Sequence, residues 1–176
     1  MAKRGTGNDW QATYQALLGD DEIAALAAAE RIGKEGDATA IAHMAAALAN
    51  SPHETVKRRL EALLGQVKAA DALPQLMAVL GNPALAGAHR AIVAAVWSAG
   101  LDARDHLERF IDLAIKGGTE ICFECLSVVQ NQDVWPERAA REGLKRVRKA
   151  MESEQDPHKA ELLADICVEL DYRLGR

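Results

Sequence analysis

The sequence predicts an all-α protein built as a stack of short helix pairs, and three observations predict it. First, an Ala- and Leu-rich helix, a brief turn and a second such helix recur about every 32 to 34 residues along the 176-residue chain. A pair too small to bury its own apolar face gains by stacking on the next, so such a period points to a helical solenoid. Second, hydrophobic residues make up 49% of the chain but aromatics only 4%, so the core must be Ala, Leu, Ile and Val on closely approaching helices; Ala is also the best helix former. Third, Gly, Pro, Asp and Ser punctuate the apolar stripes at the intervals the period requires. The reading is about ten helices in five pairs, one domain over residues 9–176 behind a flexible tail of residues 1–8.

A first helix is expected from Asp9 to Leu18. Asp20-Asp21-Glu22 then places negative charge where a helix N-terminus favours it, and an Ala-rich helix follows from Ile23 to Ile32, closed by Gly33 and Gly36. The next helix begins at Asp37 and carries Ile41, Met44, Ala45 and Leu48 as one stripe. Ser51-Pro52-His53-Glu54 restarts the chain, read as a Ser51 cap with Pro52 at the first helical position and Glu54 completing a capping box. That helix sets Val56, Leu60, Leu63, Leu64 and Val67 against Glu54, Lys57, Arg58 and Glu61.

A further helix starts near Asp71, with Pro74 tolerated in its first turn, and its partner follows Asn82-Pro83, running from about Ala86 to Ala99. Gly100-Leu101-Asp102 makes the next break. Leu107, Phe110, Ile111 and Ala114 form a helix ending at Gly117-Gly118, after which Thr119 is placed to cap a helix with Ile121, Cys122, Cys125, Val128 and Val129 on one face and Glu120, Glu124, Ser127 and Asn131 on the other. The last pair, over about residues 134–176, is more charged, starts at Pro136 and Asp156-Pro157, and fits a terminal cap.

The stretch from Ala29 to Ile41, with its small-residue turn at Gly33-Lys34-Glu35-Gly36-Asp37, resembles HEAT repeats, and Val56 to Leu64-Gly65 followed by Asp71 to Leu76 repeats it. Gly33 to Gly65 and Leu48 to Leu80 are each 32 residues apart, and Leu73 to Leu107 is 34. The resemblance is clearest from Ala24 to Asp102. It implies a right-handed α–α superhelix whose second helices line a concave face used to hold partners, although fold alone does not fix function.

A net charge of −5 opposes a general nucleic-acid surface. No stretch approaches a membrane span, no signal segment follows Met1, and three cysteines are no disulfide framework. A cytoplasmic protein with no membrane partner and no cofactor is expected.

Three constellations can carry chemistry. Di-iron HEAT-like hydroxylases resemble this chain only at His53-Glu54, the other histidines lacking a following Glu. Cys122 and Cys125 have the spacing of a metal or thiol half-site, but they sit in an apolar stripe, where a free Cys packs as core. The helix over residues 137–149 carries Arg138, Arg141, Lys145, Arg146, Arg148 and Lys149; HEAT-like DNA glycosylases make this the alternative nucleic-acid surface, against the plainer reading of a solvated face balanced by Glu161, Asp165, Glu169 and Asp171. The leading expectation is a non-enzymatic scaffold. Lys57, Arg58, Glu61, Arg90, Trp97, Glu120 and Glu124, all on second helices, are its candidate partner-binding residues, with Trp97 either an anchor or core.

Overall fold

The computed structural model describes residues 7–67 and 71–175. Among these residues it is all-helical, with ten α-helices and no strand: α1 (Gly7–Leu17), α2 (Glu22–Glu35), α3 (Ala40–Asn50), α4 (Glu54–Leu64), α5 (Ala72–Leu80), α6 (His89–Ser98), α7 (Leu107–Lys116), α8 (Thr119–Asn131), α9 (Glu137–Met151) and α10 (Pro157–Leu174). The expected tail falls mostly outside the described residues, and α1 begins two residues before the expected Asp9. Packing divides the chain into two compact units, Met1–Ile92 and Val93–Arg176.

Within the first unit each helix packs on its sequence neighbour and on the helix two along: α1 on α2 and α3, α3 on α4 and α5, α2 on α4. Alanine makes this possible. Ala25, Ala29 and Ala45 are fully buried between helices, with Ile41, Val56, Leu60, Leu64 and Leu76 filling the space around them. Burying a Leu or Ile side chain contributes roughly 1.5–3 kcal/mol. α1 is fastened differently: the Arg31 guanidinium donates to both Asp9 carboxylate oxygens and to Thr13 Oγ1, and lies 4.8 Å from the centre of the Trp10 ring. Tyr14 stacks on His43 of α3 at 3.8 Å between ring centres.

The second unit repeats the scheme, with α7 on α8 and α9, and α10 on α8 and α9. The N-terminal end of α10 clasps the α7–α8 turn. Asp156 caps α10 with its side chain and accepts a hydrogen bond from Thr119 Oγ1, while the buried Lys159 donates to the Ile115 carbonyl and pairs with Glu154 at 2.9 Å. At the other end Arg173 donates to the carbonyls of Gln130 and Gln132, so α8 and α10 run parallel.

Several helix ends differ from the sequence reading. α2 runs through Gly33 to Glu35; a Cβ at Gly33 would lie 2.6 Å from Leu63 Cδ2, so this glycine admits α4 and does not stop α2. Ser51 does not cap α4, which starts at Glu54 after His53; Ser51 Oγ instead accepts from the His53 amide before the helix begins. Thr119 lies inside α8 and gives its hydroxyl to Asp156, leaving Gly118 at the cap. The partner of α5 begins with a 3-10 segment, Pro83–Ala88, and turns α-helical only at His89, because Pro83 and the Asn82 side chain, which accepts from the Ala84 amide, hold the tighter turn first.

The break after α6 is a full C-terminal motif. The Gly100 amide donates to the Trp97 carbonyl and the Leu101 amide to the Val96 carbonyl, the paired bonds of a Schellman ending. Gly100 has φ +66°, the only positive φ among the described residues. A Cβ there forces the left-handed region, which costs roughly 1–2 kcal/mol. Gly100→Ala is therefore expected to lower the unfolding free energy by about that amount in urea denaturation, whereas an unchanged midpoint would mean that the turn is not held in this conformation.

Candidate interaction surface

The seven polar or aromatic residues singled out on second helices divide by what they touch. On α4, Lys57 is half-buried with its ammonium 2.9 Å from Glu54, one turn back, which holds the Glu54 carboxyl below its ordinary range. Arg58 is exposed. Glu61 reaches sideways and accepts from Arg90 of α6 at 2.6 Å. An equivalent bridge joins α2 to α4, where Arg59 makes a two-pronged contact with Glu30 at 2.6 and 3.0 Å; the guanidinium lowers the Glu30 pKa chiefly through that hydrogen bond. The Glu61 and Arg90 side chains keep 38% and 43% of their surface, so the pair contributes a surface bridge's ~0.2–1 kcal/mol and serves mainly to fix orientation.

In the second unit the Trp97 indole Nε1 donates to Glu124 of α8 at 2.9 Å. Glu124 keeps only 8% of its surface, which corrects its expected place on an open polar face: α8 turns this residue inward, where the indole, half-buried itself, supplies a partner. Glu120 remains exposed. Beside it on the same helix Phe123 is 53% exposed, a feature the sequence reading missed because its position between two cysteines draws it into their stripe. One turn of helical arithmetic separates them: Cys122 and Cys125 point inward and Phe123 outward. The structure thus joins Glu61 with Arg90 and Trp97 with Glu124, and leaves Arg58 and Glu120 facing solvent.

The basic helix α9 is partly neutralised. Arg141 pairs with Glu137, Arg148 with Asp171 at 2.5 Å, and Arg146 with Asp112, with Glu108 nearby. Arg138, Lys145 and Lys149 are exposed and make no ion pair among the described residues.

Cys122, Cys125 and Cys167 are all free and buried. Burial pushes the Cys122 thiol up to about 11, an effect that Lys159 reduces and Glu154 adds to; burial raises Cys125 well above its ordinary value, with Cys122 and Glu124 contributing, and also raises Cys167. Thiolate is the reactive form, and burial disfavours it at all three positions. Among the described residues no group of three or more His, Cys, Asp or Glu side chains is placed to hold a metal ion, and His53 instead bonds the Asp20 carbonyl and faces Glu22. Nor is any single helix there long and apolar enough to cross a membrane; the pair that reaches the composition together, Ala72–Leu80 with Pro83–Ser98, is bent by 111°. No family model, curated protein or solved structure matches the chain.

Glu124 should respond to substitution as a buried residue. Glu124→Ala strands the indole N–H and removes a charge-assisted bond, a change worth about 1.5–3 kcal/mol, and chemical denaturation should register that loss. A loss below ~0.5 kcal/mol, the usual range of an exposed substitution, would place Glu124 on the open surface after all.

Proposed function

We propose that the chain is a HEAT-like α-solenoid, a right-handed superhelix of five helix pairs, acting in the cytoplasm as a non-enzymatic module that takes a protein partner on the surface of its second helices. What supports this reading is the division of labour on α4. Arg59 and Glu61 hold the neighbouring second helices, through Glu30 and Arg90, and Arg58 between them is exposed. A helix face fixed from both sides loses little conformational freedom on binding, which is the cost that most weakens association. α8 offers a comparable face with Glu120 and the outward Phe123; exposed aromatic side chains of this kind serve as anchors in interfaces. The three unpaired cysteines suit a reducing compartment.

The double reversal Lys57→Glu/Arg58→Glu tests it. Melting should stay within the ~0.5 kcal/mol typical of surface changes, while affinity capture from the source cell, read by mass spectrometry, loses the proteins held by the parent chain. An identical capture profile would mean that the partner uses another face, and an unfolded variant would make the two residues structural.

A further inference from the structure

We infer that the cleft between α9 and the C-terminal part of α10 is a second binding site, one that takes an acidic helical peptide segment of a partner protein. It uses none of the α4 or α8 residues named above and does not rest on that reading. The cleft is open, of about 750 Å³, and four cations, Arg141, Lys145, Arg148 and Lys149, line it with two carboxylates, Glu152 and Asp171, and the apolar Leu144 and Leu174.

The charge pattern selects the occupant. Arg141, Lys145 and Lys149 follow one another at four-residue intervals along the exposed side of α9, a row spanning two turns, or roughly 12 Å. Arg141 and Arg148 are held by Glu137 and Asp171. Lys145 and Lys149 make no ion pair among the described residues, so two ammonium groups one helical turn apart stand unneutralised on a chain whose net charge is −5. Carboxylates spaced by four on a partner helix repeat that interval, and the apolar edges of Leu144 and Leu174 between the charges suit an aliphatic side chain from the same helix turn.

A nucleic acid fits less well. A duplex presents a charge every ~1.7 Å along its axis, and its binding proteins commonly neutralise about 6–10 phosphates, whereas α9 offers three exposed cations without an ion pair among the described residues, Arg138, Lys145 and Lys149. No aromatic side chain lines the cleft to stack a base.

The test is a fluorescence-anisotropy titration of the full chain with a labelled 15-residue helical peptide bearing two Glu four residues apart around a Leu. The Gln counterpart of that peptide and a 20-nucleotide oligonucleotide, single- and double-stranded, are titrated alongside at physiological salt. The acidic peptide should bind at least ten-fold more tightly than the Gln peptide and than either oligonucleotide. Lys145→Glu/Lys149→Glu, and the milder Lys145→Gln/Lys149→Gln should the reversal disturb folding, are expected to weaken it by ten-fold or more. Lys57→Glu/Arg58→Glu should leave it unchanged, which separates this site from the α4 surface. Failure of the acidic peptide to bind, equal binding of the Gln peptide, indifference to the α9 substitutions, or tighter binding of an oligonucleotide would each overturn the assignment.

Discussion

Alanines buried at the helix contacts let the helices of the first unit approach closely, and this closeness is what the rest of that unit depends on. Ala25, Ala29 and Ala45 are fully buried where α1 to α4 meet, and Gly33 admits Leu63 where a larger residue would collide. Alanine surrenders no rotamer freedom on burial, but each one also removes little apolar area from water, at about 25 cal/mol per Å². The deficit is met by number: α1 to α4 in the first unit and α7 to α10 in the second each pack on a sequence neighbour and on a helix two along.

Close parallel helices also bring long polar side chains on their flanks within reach of each other. Glu30 and Arg59 are 29 residues apart in sequence, Glu61 and Arg90 also 29, Trp97 and Glu124 27. With nearly equal separations in sequence, these contacts join α2 to α4, α4 to α6 and α6 to α8. For the two exposed ion pairs orientation is the gain, since surface bridges contribute little net energy; the bond from Trp97 to the buried Glu124 contributes more. A consequence for function is that some polar residues of these helices are occupied within the protein, as Arg59 and Glu61 are, while others, such as Arg58 and Glu120, are exposed beside the outward Phe123.

Periodicity made the helices legible. The stripes Ile41, Met44, Ala45, Leu48 and Leu107, Phe110, Ile111, Ala114 are buried as the spacing requires, and Gly100 ends α6 as its place after the last stripe implies. Caps were less legible, because Ser51 and Thr119 are good capping residues whose hydroxyls found other partners: one the His53 amide, the other Asp156, 37 residues away. The second of these, being distant, has no signature in a window of ten residues. Glu124 escaped for a related reason. A charged residue one turn from Glu120 reads as solvent-facing until Trp97, 27 residues earlier, is known to meet it. Lys159, buried against the Ile115 carbonyl at the end of α7, is a third case; long aliphatic stems let such residues pass through apolar surroundings to a polar end. The surface division on α4 follows from the same limit, since sequence places Arg58 and Arg59 side by side without telling which reaches Glu30.

The most direct measurement of the close-packing claim compares one enlargement at two positions of α3. Ala45 is fully buried and Ala42 is exposed on the same helix, so Ala45→Leu and Ala42→Leu share their change in helix propensity and differ only in the space they meet. Urea denaturation should show Ala45→Leu losing about 1–3 kcal/mol, the usual cost of overpacking, with Ala42→Leu within ~0.5 kcal/mol of the parent. Equal midpoints for the two variants would contradict a core set by the close approach of alanine-faced helices.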